Sequence, residues 1–214
     1  MSAVTPSASP PVADHQPRRA PSQRRSRERV ERILAAASAL IAERGSDALR
    51  MSEVAQAAAV SIGSLYQYFP DKGAIIRLLA ERYNEEGRAC VRGELATVRD
   101  DDSLRAAMLR ILDGYYGMFL SEPVMRDIWS GAQADKALQA MDAEDGRIHS
   151  EMLAAVLYRL RPTLDRERLL NHAYMIMQLL CATVRMAIAL ERRQGDAIIA
   201  AFRGLLLREL FPVD

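Results

Sequence analysis

Apolar residues recur at intervals of three and four from residue 30 towards the C-terminal end of the chain. Apolar and polar residues do not alternate over any sustained stretch, and no Asn-Gly or Asp-Gly turn separates β-branched runs. Spacing of three and four places apolar side chains on one face of an α-helix, whereas alternation would indicate a strand. We therefore predict an all-α fold of about nine helices, with an N-terminal three-helix headpiece and a larger C-terminal helical bundle.

Prolines mark where these helices begin and end. Five of the nine prolines fall within the first 21 residues, a stretch rich in Ser and Ala with few large apolar side chains. We expect residues 1–23 to be a disordered tail, because they cannot bury enough surface to offset the entropy of ordering. The other four prolines lie at predicted helix boundaries, where the proline ring is tolerated.

The composition is that of a globular chain and excludes several classes of protein. Half of the residues are apolar, 27% are charged and the net charge is +1, whereas disordered chains are poor in apolar residues. No apolar run approaches the ~20 residues of a transmembrane helix. Cys90 and Cys181 form no CxxC pair, which excludes a zinc ribbon or a disulfide scaffold and favours two buried thiols in a reducing compartment.

Positive charge is concentrated in the N-terminal part of the chain. Residues 1–84 hold 12 basic and 8 acidic side chains, so the remainder carries the acidic excess. Six arginines fall within residues 18–29, just before the first predicted helix. A basic cluster of this density suits a polyanion, although a solvated helix start would explain a charge run alone equally well.

Residues 50–69 predict two short helices joined by a turn near residues 59–60. Leu65 and Phe69 are four residues apart on the second helix, so both face the core. Ser61 is a good N-cap for that helix. Two short helices joined in this way form the helix-turn-helix of DNA-binding proteins, although a simple packing motif would give the same bare pattern.

The other side chains of the second helix have the chemistry of a groove reader. Gln67 can pair with adenine through N6 and N7, and Ile62 can contact a thymine methyl. Tyr66 and Tyr68 can donate hydrogen bonds to phosphates. We therefore assign DNA contacts to Arg25, Arg27, Arg50, Ser52, Ser61, Ile62, Gly63, Ser64, Tyr66, Gln67, Tyr68 and Lys72.

The segment VSIGSLYQYFPDK, residues 60–72, resembles the signature of the TetR family of bacterial transcriptional regulators. The chain departs from the family at Ala59, where glycine is usual, so the turn must close without a left-handed glycine. It also departs at Arg50, where Thr or Ser is usual, which removes a neutral cap and could add a phosphate contact. The resemblance implies a DNA-binding domain at residues 27–87 and a ligand-binding and dimerisation domain at residues 95–214.

The resemblance also implies a function. A member of the family would be a cytoplasmic, nucleoid-associated homodimer that binds double-stranded DNA at a palindromic operator and represses nearby genes until a small-molecule ligand releases it. No cofactor and no membrane partner are implied. Two alternatives stay open: a regulator controlled by a protein partner, and an all-α carrier or enzyme in which the headpiece is incidental.

The C-terminal part is rich in side chains that suit a pocket. Eight of the ten methionines and the single tryptophan follow residue 95. Methionine adapts to promiscuous pockets, but such residues at helical spacing more often form ordinary core. Arg185 lies on an otherwise apolar helix and would meet a polar ligand group, an intersubunit salt bridge or solvent. We assign the ligand pocket to Tyr115, Phe119, Trp129, Met152, Tyr174, Gln178 and Arg185.

Two helices, predicted at about residues 165–193 and 196–211, have more apolar surface than one subunit would bury. A helix that is apolar on all sides needs a second burying surface, and two such helices from each subunit would make a four-helix interface. We assign the dimer interface to Val184, Ile188, Ile199, Phe202 and Leu206.

Catalytic and metal sites have little support. The sequence has no GxSxG, no phosphate-binding loop and no convincing nucleophile with a base, so no catalytic residue is expected. Asp142, Asp145 and His149 share one face of a predicted helix. A solvated face with one ion pair explains this spacing better than a metal site does.

Overall fold

The computed structural model describes residues 19–131 and 135–209, and within these ranges the chain forms nine α-helices and no strand. The predicted all-α class and number of helices are therefore confirmed. The helices are α1 (Arg19–Arg44), α2 (Met51–Ala57), α3 (Ile62–Tyr68), α4 (Lys72–Ala96), α5 (Asp101–Ser121), α6 (Pro123–Gly131), α7 (Lys136–Leu160), α8 (Arg166–Ile188) and α9 (Arg192–Glu209).

The headpiece consists of α1, α2, α3 and the first turns of α4. The apolar face predicted for α1 is buried as expected, with Ile33 and Ala37 fully enclosed. Gly45 ends the helix at φ 82, and its N–H donates to the carbonyl of Ile41 at 2.8 Å. A left-handed glycine just after the last turn is a common way for a helix to end, because glycine has no Cβ to clash there.

The first helix begins earlier than the sequence predicts. α1 starts at Arg19, whereas the disordered tail was expected to extend to residue 23. The arginine cluster from Arg24 onward therefore lies within α1 rather than before it, and Arg24 pairs with Glu28 one turn away at 2.8 Å. Pairs of this spacing support a helix whose apolar stripe has not yet begun. Residues 1–18, which include most of the predicted tail, lie outside the described residues.

The larger bundle is built from α5 to α9 and the C-terminal part of α4. Its core includes Phe119, Leu104 and Leu153, all fully buried. α4 is 25 residues long and buries Ile75 near the headpiece and Val91 in the bundle. One continuous helix therefore connects the two parts of the molecule.

The junction between the last two helices differs from the prediction. α8 ends at Ile188 and α9 begins at Arg192, so both boundaries come about four residues before the predicted positions. A Cβ at Gly195 would lie 2.5 Å from the carbonyl oxygen of Ala187. Glycine therefore lets the first turn of α9 lie directly against the end of α8. The predicted end of α9, at residue 211, lies outside the described residues.

The lengths and hydropathies of the helices show whether any of them could span a membrane. Among residues 19–131 and 135–209, no helix is both long enough and apolar enough to cross a lipid bilayer.

Candidate functional site

The turn between α2 and α3 closes around an alanine in a left-handed conformation. Val60 N–H donates to the carbonyl of Ala55 at 3.0 Å, and Ala59 N–H donates to that of Gln56 at 3.1 Å. These two bonds form a Schellman motif, whose central position normally holds glycine. Ala59 occupies it at φ 52, so the turn closes without glycine, at a cost of roughly 1–2 kcal/mol.

α3 is held in place by the two side chains that the sequence predicts. Leu65 is fully buried and Phe69 is 4% exposed. At the start of the helix, the hydroxyl of Ser61 accepts a hydrogen bond from the backbone N–H of Ser64 at 3.1 Å, which confirms the predicted N-cap. The carboxylate of Asp71 caps α4 in the same way by accepting from Ala74 N–H at 2.7 Å.

The outer face of α3 is open to solvent. Ile62 is 45% exposed and Tyr66 51% exposed, although both are large and partly apolar. Gln67 is exposed beside them, and a Cβ added at Gly63 would meet nothing within 4 Å. Four of the residues assigned to DNA contact thus form one accessible surface.

Tyr68 is placed differently from the prediction. It is half-buried against α1, where the Ser26 hydroxyl donates to its phenolic oxygen at 3.2 Å. The Arg29 guanidinium lies 6.0 Å from the centre of the Tyr68 ring, and Arg29 also donates to the Ser64 hydroxyl at 3.4 Å. The hydrogen bond from Ser26 and the charge of Arg29 lower the pKa of Tyr68. Tyr68 and Ser64 thus connect α3 to the basic segment of α1.

Lys72 also makes contacts within the chain. Its Nζ donates to the carbonyl of Asp47 at 2.8 Å and to that of Ser46 at 3.2 Å. The N–H of Ser46 in turn donates to the carboxylate of Asp127 on α6 at 2.8 Å. The loop after α1 therefore binds the start of α4 on one side and the bundle on the other.

The remaining assigned residues lie on the surface of the headpiece. Arg25 and Arg27 are exposed on α1, and Ser52 is exposed on α2. Arg50 is the N-cap residue of α2 and is exposed, but its side chain makes no capping hydrogen bond. Three exposed guanidinium groups therefore belong to the same part of the molecule as the outer face of α3.

A small cavity lies in the bundle between α4, α5, α7 and α8. Its volume is about 20 Å³ and its walls are almost entirely apolar. Among the assigned pocket residues, only Tyr115 lines it. The cavity is also lined by Cys90, Met118, His149, Met177 and Cys181, none of which the sequence patterns place in the pocket.

The other assigned pocket residues lie elsewhere. Phe119 is fully buried behind Tyr115, with ring centroids 5.0 Å apart. Trp129 is buried on α6, Met152 is half-buried on α7, and Tyr174 is 47% exposed on α8. Periodicity identified these side chains as large and apolar or aromatic, but not the neighbours that would cover them.

Two polar residues of α8 face α7 instead of the cavity. A Cβ at Gly146 would lie 2.2 Å from Nε2 of Gln178, so the Gln178 amide rests on the backbone of α7. Arg185 forms an ion pair with Asp142 of the same chain. Arg185 thus has a carboxylate partner within its own chain, and its assignment to a ligand contact or to an intersubunit salt bridge stays a prediction.

The face of α7 that carries Asp145 and His149 is buried, which corrects the expectation of a solvated face. Arg88 on α4 pairs with Asp145 at 2.8 Å, and Nδ1 of His149 lies 3.3 Å from the same carboxylate. Burial raises the pKa of Asp145 to about 6, and burial together with the charge of Arg88 lowers the pKa of His149 to about 4. Among the described residues, no group of three His, Cys, Asp or Glu could hold a metal ion.

One cysteine also differs from the prediction. Cys90 is exposed, not buried. The thiol of Cys181 is enclosed as expected, and burial raises its pKa to about 11. Neither thiol therefore has the electropositive surroundings of a reactive cysteine.

The assigned dimer residues point into their own subunit. Val184, Ile199, Phe202 and Leu206 are at most 8% exposed, and Ile188 is half-buried. The four buried side chains have little surface left to offer a partner, and the assignment of the set to a dimer interface stays a prediction. The large apolar side chains that are exposed on α8, on α9 and between them are instead Leu170, Tyr174, Met175, Leu179, Met186, Leu190 and Leu205.

Two short helices joined by a tight turn, with the outer face of the second open to solvent, have the arrangement of the helix-turn-helix of DNA-binding proteins. The chain belongs to the TetR family of DNA-binding regulators. Residues 33–79 match the model described as bacterial regulatory proteins, tetR family, and residues 102–213 match the one described as tetracyclin repressor-like, C-terminal domain.

Solved structures agree with this assignment. A TetR-family transcriptional regulator from Streptomyces coelicolor is 28% identical, with a TM-score of 0.66 over 86% of this chain and 97% of that one. A TetR-family regulator from Pectobacterium atrosepticum is 23% identical, with a TM-score of 0.65 over 88% and 98%. RolR in complex with resorcinol is 22% identical, with a TM-score of 0.62 over 90% and 91%. Among curated proteins, none matches the chain.

Proposed function

We propose that the chain is a homodimeric repressor that holds a palindromic operator with two copies of α3 and releases it when a small molecule enters the bundle. The observation that carries the DNA-reading role is the outer face of α3, where Ile62, Tyr66 and Gln67 are exposed around Gly63. Exposed aromatic and apolar side chains on a short helix are costly unless they meet a ligand. Gln67 would read a base edge and Tyr66 a phosphate.

Cationic groups support the same surface. Arg25, Arg27 and Arg50 are exposed around the helix-turn-helix. Tyr68 and Ser64 hold α1 against α3, so the arginines of α1 approach the duplex together with α3. These guanidinium groups would neutralise phosphates and make binding strongly dependent on salt.

A second copy of the chain is the partner that the apolar surface of α8 and α9 fits best. Of nine large apolar side chains that are exposed among the described residues, two lie on α3 and seven on α8, α9 or the segment between them. Met175, Leu179 and Met186 follow one helical face, and the exposed Ala201 and Gly204 on α9 leave room for a close helix approach. Self-association through one shared face produces two-fold symmetry, which is what a palindromic operator requires, with half-sites about 34–36 Å apart or further.

Coupling between the bundle and the headpiece would run through α4 and α6. Gly87 on the wall of the cavity is 15 residues from the start of α4, or about 23 Å along the helix. Lys72 fixes that start to the loop after α1, and Asp127 fixes the same loop to α6. A ligand that favours another position of α4 would thus move the headpiece, provided that it binds the two states with different affinities.

Support for a small-molecule ligand comes from the cavity and from one related fold. RolR, which shares the fold, has been crystallised with resorcinol. The same arrangement of helices in this chain contains a cavity with almost entirely apolar walls. We infer that a small molecule, and not a protein partner, controls this regulator.

The first experiment selects genomic DNA fragments with the purified protein and measures their affinity for three variants. Gln67→Ala is expected to relax base preference at one position, which costs about 1–3 kcal/mol of discrimination. Tyr66→Ala and Arg27→Ala are expected to weaken binding to every sequence, and Arg27→Ala also lowers the salt dependence. Arg92→Ala removes an equally exposed arginine from α4 and serves as the control. Equal effects of Arg27→Ala and Arg92→Ala would contradict the assigned surface.

The second experiment measures oligomeric state in solution. Leu179→Glu and Met186→Glu place charges on the exposed apolar face and are expected to give monomers that lose operator affinity. Ala155→Glu adds the same charge between Glu151 and Arg159 on the exposed face of α7 and should remain dimeric. A wild-type protein that is monomeric and still binds its operator fully would contradict the proposed dimer. If the protein is a dimer but no metabolite changes its DNA binding, control by a protein partner would be favoured instead.

A further inference from the structure

Among the residues that line the cavity of the bundle, His149 is buried and has one ring nitrogen without a partner. The residue is 6% exposed, and its Nε2 has no hydrogen-bond partner among the described residues. A buried polar atom left in this state destabilises the fold until a partner satisfies it. The other walls offer it little help, since they are almost entirely apolar.

The surroundings of Nδ1, the second ring nitrogen, determine whether Nε2 can donate or accept a hydrogen bond. Nδ1 lies 3.3 Å from the Asp145 carboxylate, which Arg88 binds at 2.8 Å. Burial lowers the pKa of His149 to about 4, so the ring is neutral at pH 7 and has a single proton. On Nδ1 this proton faces the Asp145 carboxylate, whereas on Nε2 it would have no acceptor. Nε2 is then a hydrogen-bond acceptor only.

The charges around the cavity argue against an anionic ligand. Arg88 binds Glu81 and Glu85 in addition to Asp145, and Arg185 binds Asp142. Both of these cations, of which Arg88 acts on His149 and Arg185 on Tyr115 and Cys181, are therefore already paired with carboxylates. An anion would bring further negative charge next to Asp145 and would offer no proton to Nε2.

The apolar walls favour an aromatic ligand. Met118, Met177 and Cys181 line the cavity, and their sulfur atoms can make favourable contacts with ring edges. A volume of about 20 Å³ holds about one water molecule, so a ligand must displace side chains. Unbranched methionines can move in this way at low cost.

We propose that this cavity takes a small, uncharged phenol whose hydroxyl donates a hydrogen bond to Nε2 of His149. The inference rests on the proposed function, because it names the ligand class of the same regulatory site. It makes His149 the residue that separates hydroxylated aromatics from ethers and carboxylates of equal size. Asp145 acts as a positioning residue that holds the imidazole in the accepting form.

The test compares three probes on the full chain: phenol, anisole and benzoate, titrated by NMR at pH 7.5. Anisole keeps the ring but has no proton to donate, and benzoate carries a charge. The wild type is expected to bind phenol about tenfold more tightly than anisole, the effect of one buried hydrogen bond. Equal affinity for phenol and anisole, tighter binding of benzoate, or no binding of phenol would overturn the proposal.

Two further measurements isolate His149. His149→Phe should abolish the preference for phenol over anisole, whereas His172→Phe, which changes a histidine outside the cavity, should retain it. In the wild type, ¹⁵N spectra of the three histidines should show a ring protonated only at Nδ1, with an Nε2 signal that shifts on addition of phenol. An Nε2 that carries the proton would overturn the proposal even if the variants fail to fold. DNA binding is measured separately, so its failure would count against the proposed function and not against the ligand class.

Discussion

The helix boundaries of the headpiece and the buried polar pairs of the bundle depend on contacts of different range. In the headpiece, three helix boundaries are set within a few residues of sequence, by Gly45, Ser61 and Asp71. In the bundle, Arg88 and Asp145 come from helices far apart in the chain. The start of α3 is therefore set by local signals, whereas the cavity depends on which helix faces meet.

The position of α3 depends on Leu65, the side chain that this helix buries in the core of the headpiece. Leu65→Ala removes a fully buried side chain and is expected to cost about 2–5 kcal/mol of stability and to abolish DNA binding. Chemical denaturation and fragment binding measure the two effects. Gln67→Ala, on the outer face of the same helix, should change stability by less than ~0.5 kcal/mol. A similar loss in both variants would show that α3 is not seated on Leu65.

The bundle should be sensitive where two helices meet without a side chain between them. Gly195→Ala brings a methyl group to 2.5 Å from the Ala187 carbonyl oxygen, so we expect a loss of roughly 1–3 kcal/mol in denaturation. Gly93→Ala adds the same methyl group to a helix where nothing lies within 4 Å and should stabilise by about 0.5–1 kcal/mol. Stabilisation in both variants would rule out the close approach of α8 and α9.

The buried Asp145–His149 pair gives the bundle a characteristic response to pH. From about pH 4 to about pH 6, the folded state keeps Asp145 protonated and His149 neutral, because their pKa values are about 6 and about 4. In the unfolded state Asp145 is ionised and His149 is protonated, so the two residues together hold the same number of protons as in the folded state. The pair therefore adds little pH dependence to the free energy of unfolding. The melting temperature of the wild type should therefore receive little pH dependence from this pair.

Replacing Asp145 or His149 alone should reveal the contribution of the other residue to the pH dependence of stability. In Asp145→Asn only His149 remains, the unfolded state binds more protons, and stability should rise with pH over this range. In His149→Phe only Asp145 remains, the folded state binds more protons, and stability should fall. Melting temperatures measured from pH 4 to 7 test both signs, and slopes of the same sign in the two variants would contradict the pairing.

The smallest expected effect concerns the turn of the headpiece. Ala59→Gly relieves a left-handed alanine at φ 52 and should raise stability by about 1 kcal/mol in denaturation. Ala57→Gly, two residues earlier and still helical, should instead cost about 0.5–1 kcal/mol. Destabilisation by both glycines would show that the turn does not strain Ala59.

Sequence patterns predicted the helices better than they predicted which helix faces pack against one another. The buried face of α1, the cap at Ser61 and the burial of Leu65 follow from spacing and from short-range backbone chemistry. The neighbours of the residues assigned to the pocket and the dimer interface do not, because α8 is apolar on several sides and periodicity cannot say which side meets α7 and which stays open. Val184 was assigned to the partner and faces inward, whereas Met186, two residues on, is 52% exposed.

The buried ion pairs were missed for a related reason. Asp145 and His149 stand four residues apart, a spacing as common on solvated faces as on buried ones. Only the crossing of α4 over α7, which brings Arg88 to Asp145, decides between the two. The polar residues around them on α7 give no sign that this face is buried, and the partner on α4 lies 57 residues away in the chain.

The contacts of Lys72 with the carbonyls of Ser46 and Asp47 tie the beginning of α4 to the end of α1. A displacement of α4 would pull on the loop after α1 through these two hydrogen bonds. In the regulator proposed above, an inducer would then alter how far apart two headpieces stand and not which bases each one contacts. Operator choice and inducer choice can then diverge independently during evolution.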